Sequence, residues 1–380
     1  MKNQRAKFSL PKGTTYLNCA YMSPLMKQVE AAGVRGLRRK RNPMGVSAED
    51  FFTETEALRK AYARLIHVSD PKRIVVIPSA SYGLSTVARN VKLSKGDHVV
   101  VMSQQFPSNM YPWMRLVNES GATLKVISPP DELRDRGKNW NRRLLEAITS
   151  STRLVAMGHV HWADGTRFEL EDVSKRAREV GAKLIIDGTQ SVGALPFDVS
   201  RIKPDALVCA GYKWLMGPYS MGLAYFGEGF DEGVPLEENW INRLGSEDFT
   251  GLVKYEDRYQ PGALRYEVGE HSNFILVPMM REAVDQVNRW GPENIQVYCG
   301  KIIRTGLNQL RESGFWIEEE DFRGNHLFGL RFPEGTRMEK IRERVKKRKI
   351  SVSFRGDSMR ISPHVYNSSE DFQRLVDAIR

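Results

Sequence analysis

From about residue 50 the chain alternates short, largely apolar segments with longer helical stretches. Val99-Val100-Val101-Met102 is apolar at every position, as a strand covered on both faces must be. Strands are expected over 73–77, 98–102, 123–127, 153–157, 184–186, 206–209 and 222–226. The stretches between them carry helical periodicity over 81–91, 111–120, 141–150 and 170–180. Such alternation predicts an α/β architecture: a mainly parallel seven-stranded sheet sandwiched by helices.

The pattern changes after about residue 275. Helices are expected over 278–290 and 293–313, short strands over 327–332, 350–354 and 358–361, and a last helix over 369–379 with Ser368 or Ser369 as its N-cap. This half reads as a smaller α+β domain. The expected division is a large domain over 25–280 and a small one over 281–380. No internal repeat, low-complexity tract or long linker interrupts either part.

Composition narrows the classes. With 380 residues, 41% hydrophobic and 27% charged, the chain has the make-up of a globular protein with room for one large and one small domain. No apolar stretch approaches the ~18 residues of a membrane span, and residues 1–7 lead into no apolar run of a secretory signal. Three cysteines (Cys19, Cys209, Cys299) are few, odd in number and far apart, which predicts a reducing cytoplasm and no disulfide framework. The net charge of +11 raises a nucleic-acid reading. The basic runs at 35–41 and 342–349 sit in helix-like surroundings without interleaved aromatics, so they read as solvated helix faces. The charge also favours anionic substrates such as amino and keto acids.

The chemistry is concentrated in two short segments. Asp187-Gly188-Thr189-Gln190 closes the apolar run 184–186, and Gly211-Tyr212-Lys213-Trp214 follows the apolar run 206–210. A carboxylate and a lysine placed on loops after neighbouring strands suit pyridoxal 5'-phosphate. The lysine amine makes a Schiff base with the aldehyde. The carboxylate pairs with the pyridine nitrogen and keeps the ring an electron sink. Gln190, three residues after Asp187, is placed to donate its amide to the ring oxygen.

The stretch 184–226, with Asp187, Gln190, Gly211-Tyr212-Lys213 and Gly217-Pro218, resembles the class V aminotransferase family of fold-type I pyridoxal phosphate enzymes. That family includes cysteine desulfurases, kynureninases and isopenicillin N epimerase-like proteins. The resemblance covers the whole chain. It implies an aspartate aminotransferase-like fold, with residues 1–24 packing against the small domain, and a homodimer with shared active sites.

The remaining expected site residues fall after other strands, where open α/β sheets bind ligands. Ser79-Ala80-Ser81 opens a helix, whose free N–H groups suit a phosphate, and Ser81 matches the family's phosphate-cup threonine. Phe106 aligns with the family position stacked on the ring, where desulfurases carry His. Trp162 stands where relatives have an Asn that touches the ring oxygen, and Ala210 where desulfurases have a phosphate-binding Ser. Tyr212 resembles the kynureninase tyrosine that reaches the phosphate. Ser272, with His271 as second choice, falls in the segment that reaches the neighbour's phosphate in family dimers. Arg360, with Arg355 as second choice, matches the substrate-carboxylate arginine, and Asn18 a pocket-lining position. His159 and His161 lack a third ligand, so no metal site is expected.

The resemblance implies an amino-acid-like substrate bound through an external aldimine, with Lys213 as the base that takes the α-proton. Residues 353–359 contain no cysteine, so the nucleophile of desulfurases is missing. Transamination is the expected reaction. Epimerisation, a kynureninase-like reaction or C–S lysis is the alternative, and a catalytically silent binding protein is the non-enzyme alternative.

Overall fold

Residues 1–356 and 358–380 are described by the computed structural model. Seven strands form the large sheet: β1 (Ile74–Ile77), β2 (His98–Met102), β3 (Thr123–Ile127), β4 (Thr152–Gly158), β5 (Lys183–Asp187), β6 (Ala206–Ala210) and β7 (Gly222–Phe226). Their order across the sheet is β1-β7-β6-β5-β4-β2-β3. All pairings are parallel except those of β7, which runs antiparallel to both β1 and β6.

The continuous apolar runs are explained by the two faces. Val99 and Val101 of β2 pack with Leu84, Val87 and Trp113 in one core. Val100 and Met102 point the other way, into a core that contains Trp140, Leu144 and Phe168. Both sides of the strand are therefore dry, and alternation disappears from the sequence.

Helices Ala80–Arg89, Tyr111–Ser120, Arg136–Ala147 and Leu170–Glu179 connect the parallel strands. The third begins five residues before the expected 141. Its first turn, Arg136-Gly137-Lys138, reads as a loop, but Arg136 and Gly137 are buried. Phe322 and Glu318 occupy the space where a Cβ on Gly137 would point.

Helix Leu276–Trp290 packs on helices Lys27–Arg39 and Thr53–Leu65, and the expected division at 280/281 falls inside it. Helix Pro292–Glu312 follows at once and packs on the terminal helix Ser369–Ile379. Ser368 caps that last helix reciprocally with Asp371. The basic runs at 35–41 and 342–349 overlap helices Lys27–Arg39 and Met338–Lys347.

The second sheet is antiparallel, in the order Ser353–Arg355, Ser358–Ile361, Phe328–Arg331, Trp316–Ile317. The single strand expected over 350–354 is split in two. Ile350–Ser351 instead pairs parallel with Thr15–Tyr16, which draws the N-terminal segment onto this half. Among the described residues, no helix is long and apolar enough to cross a membrane.

Candidate active site

The C-terminal ends of β1, β2, β4, β5 and β6 surround a cavity of about 310 Å³. Its wall contains Asp187, Gln190, Ala80, Ser81, Phe106, Trp162, Tyr212, Lys213 and Ala210. The topology brings these residues together because parallel strands all end on one side of the sheet.

Lys213 sits in a loop closed by the Gly211 N–H, bonded to the Met221 carbonyl (2.8 Å), and the Gly217 N–H, bonded to the Gly211 carbonyl (2.9 Å). A Cβ on Gly211 would lie 2.7 Å from the Met221 oxygen, so glycine is required there. Lys213 is buried, at 6% exposure, and among the described residues its amine has no hydrogen-bond or ion-pair partner. It faces the rings of Phe106 and Tyr212, each centroid 5.5 Å away. Burial, then the charge of Arg360, pushes its pKa down to about 8, with Asp187 opposing.

Asp187 ends β5, and its Oδ1 accepts the Thr189 N–H at 3.0 Å. Burial raises its carboxyl pKa, against the Thr189 bonds and Lys213. Thr189 Oγ1 in turn accepts the Ala210 N–H (3.1 Å), which ties the ends of β5 and β6 together. Gln190 is held from both sides. Its Nε2 donates to the Ala20 carbonyl (3.2 Å), and its Oε1 accepts from Trp214 Nε1 (3.0 Å). One N–H of that amide remains for another acceptor.

Ser79 is the N-cap of helix Ala80–Arg89, accepting from the Tyr82 N–H at 3.2 Å. Its hydroxyl also lies 2.8 Å from Ser81 Oγ. Ala80 and Ser81 occupy the first helical turn, where N–H groups have no intrahelical carbonyl to bond.

Phe106 and Trp162 meet edge to face, with centroids 5.4 Å apart. Trp162 Nε1 donates to the Gln104 carbonyl (2.7 Å), which fixes the indole. The two histidines before it have separate structural partners. His161 Nε2 donates to the Ser103 carbonyl (3.1 Å), and its Nδ1 lies 3.1 Å from Asp164. Despite burial, His161 and Arg136 hold the Asp164 carboxyl below its usual value. His159 packs on Phe197, and burial lowers its pKa to about 3.

Arg360 is outside the wall but donates from Nη1 to the Trp162 carbonyl (2.7 Å). Arg355 lies over the Trp162 ring, 5.4 Å from its centre. Asn18 does not reach the wall. It is buried, and its Oδ1 accepts from Ser353 Oγ (2.8 Å). His271 and Ser272 are also away from this cavity. His271 Nε2 donates to the Phe51 carbonyl (3.1 Å), and its Nδ1 lies 3.3 Å from Glu267.

Several cavity residues carried no recognisable sequence signal: Tyr219, Ser220, Gln105 and Asn109. Asn109 Oδ1 accepts from the buried Trp113 (2.9 Å), so Trp113 supports this wall from behind.

The aminotransferase class-V family profile matches residues 39–375. An uncharacterized aminotransferase of Bacillus subtilis, YcbU, is 24% identical over 336 residues, covering 88% of this chain and 85% of its own. The apo structure of a cysteine desulfurase from Thermococcus onnurineus superposes with a TM-score of 0.83 at 21% identity, covering 99% of this chain and 97% of that one. A mutant of C-DES with glycine covalently linked to its PLP cofactor gives 0.84 at 19% identity, covering 99% and 98%.

Proposed function

This chain belongs to the class V aminotransferase family, and on that premise we propose that it transfers an amino group between an amino acid and a keto acid. Its cofactor is pyridoxal 5'-phosphate, and the cavity's donor set fits that group. Among the described residues, Asp187 is an enclosed carboxylate without a cationic partner within ion-pair distance and Lys213 an enclosed amine without an acceptor, and the first turn of helix Ala80–Arg89 offers free N–H groups. Each polar group is costly where it lies unless a complementary one arrives.

Bound there, pyridoxal phosphate supplies an aldehyde that captures amines and a ring that takes up an electron pair. In our reading Lys213 would hold the cofactor aldehyde and its amine would move the proton at the substrate Cα. An amine with a pKa near 8 accepts that proton at neutral pH far more readily than an ordinary lysine. Asp187 would hold the ring nitrogen, Ala80, Ser81 and Tyr212 would hold the phosphate, Phe106 would lie against the ring, and the free N–H of Gln190 would serve the ring oxygen. Arg360 takes the substrate carboxylate with its fork of donors.

The observation that favours transamination over sulfur transfer concerns thiols. Cys19, Cys209 and Cys299 are all buried, burial raises each thiol pKa, and residues 353–359 offer none. Thiolate attack has no candidate.

The test combines a screen of amino donors against keto acids with assays for ammonia, pyruvate, sulfide and α-proton exchange. Stoichiometric exchange of amino and keto groups is expected. Release of pyruvate, ammonia or sulfide without such exchange would replace transamination by a lyase reaction.

A further inference from the structure

Among the described residues, two guanidinium groups beside the cavity, one buried and one half-buried, have no acidic partner, and one α-carboxylate accounts for only one of them. Arg360 is 1% exposed, and its buried Nε has no partner. Arg355 is half-buried, donates from Nη1 to the Phe354 carbonyl (2.8 Å), and also has an unpartnered buried Nε. Among the described residues, neither forms an ion pair.

Strand register places them together. Ser353 pairs with Arg360 across the hairpin, and Arg355 pairs with Ser358. Arg355, two residues from Ser353, therefore shares a sheet face with Arg360 as its diagonal neighbour. Both lie by the Trp162 indole, at 5.4 and 5.9 Å from its centre. After burial, Arg355 is the main influence that pushes Arg360 down to about 10. Two like charges in a poorly solvated place, each with open donors, form half of a salt bridge network.

We propose that Arg360 and Arg355 form a two-anion substrate site, so that the preferred substrate is an amino acid with a second acidic group on its side chain. The proposal rests on the reading of the chain as a pyridoxal phosphate enzyme acting on amino acids. In that reading the ring nitrogen answers Asp187 and the helix N-terminus answers the phosphate, which leaves neither to neutralise Arg355. Arg360 takes the α-carboxylate at the inner position. The side chain then leads outward to Arg355, whose planar fork matches a carboxylate or an equally forked sulfonate.

The experiment compares isosteric pairs, glutamate with glutamine and aspartate with asparagine, on protein loaded with pyridoxal phosphate. Binding is read by calorimetry, and as the change of the cofactor's absorption band on titration. In at least one pair the wild type is expected to bind the acid about tenfold more tightly than the amide. Arg355→Gln should bring that ratio near one, and Arg355→Lys should leave an intermediate value, with unchanged thermal melting. Equal binding of acid and amide by a wild type that carries its cofactor overturns the second anion site alone. So does an acid preference that survives in Arg355→Gln. A wild type that takes up no pyridoxal phosphate overturns both this site and the functional reading beneath it.

Discussion

At the scale of single residues, the site is a set of groups each left incomplete by its own chain. Lys213 illustrates the cost. Its pKa of about 8 in the folded protein, against 10.5 for an ordinary lysine, means that the unfolded chain binds the proton more tightly. The penalty is therefore fully present below about pH 8 and fades as pH rises to 10.5, so stability climbs through that window. The gap corresponds to about 3 kcal/mol. Protein stripped of cofactor should become more stable on Lys213→Met at pH 7, with the difference gone above pH 10.5. Urea unfolding of both proteins at pH 7 and 10.5 measures it, and a pH-independent difference would assign the effect to packing. Asp187→Asn keeps shape and removes charge. We expect the variant to retain pyridoxal phosphate but to exchange the substrate α-proton about 10²–10³-fold more slowly. Exchange at the wild-type rate in deuterated buffer would make Asp187 a structural cap.

At the scale of elements, the loops after β1, β5 and β6 carry the site, and their shape depends on residues with no chemistry of their own. The 211–217 loop folds back through Gly211 and Gly217, where Met280 of helix Leu276–Trp290 fills the space a Cβ would take. Gly211→Ala should cost about 1–3 kcal/mol through overpacking and weaken formation of the covalent lysine link, read as the visible band retained after gel filtration. A fully yellow, wild-type-stable variant would show that the loop tolerates displacement. These loops also show what the sequence could reveal. Apolar runs marked the inner strands because both faces are buried, whereas the edge strand Thr123–Ile127 is partly exposed and carries Lys125; the spacing of Asp187, Gln190 and Lys213 pointed to one cavity wall. Strands Thr15–Tyr16 and Trp316–Ile317 have only two residues each, too few for any period to register. The first turn of helix Arg136–Ala147 was hidden by charged residues and a glycine that tertiary contacts bury. The bonds holding Gln190 come from Ala20 and Trp214. Trp214 is near in sequence to Lys213, but its orientation is decided only by packing against His326 and His364.

At the scale of the whole molecule, those histidines make the fold sensitive to acid. His159, His326 and His364 are all buried, and burial lowers them to about 3, 4 and 3 respectively. The unfolded chain takes up their protons below about pH 6.5, while the folded protein does not. Stability is thus full above 6.5 and is lost as pH falls toward 4. By pH 5 the loss is on the order of 2 kcal/mol for each histidine. Asp187 and Glu318, whose carboxyls burial raises, act in the opposite direction and return part of it. Neither nitrogen of His364 has a hydrogen-bond partner among the described residues, and its ring packs among Trp214, Trp290 and Tyr366. It behaves as an aromatic filler with a dormant proton site, so His364→Phe should change little at pH 7.5 and gain on the order of 2 kcal/mol over wild type at pH 5. Urea unfolding at the two pH values measures both quantities. If wild type and variant lose the same stability between pH 7.5 and 5, the buried His364 is not a source of the acid sensitivity, and the carboxylate pairs around Asp164 and Glu267 must carry it.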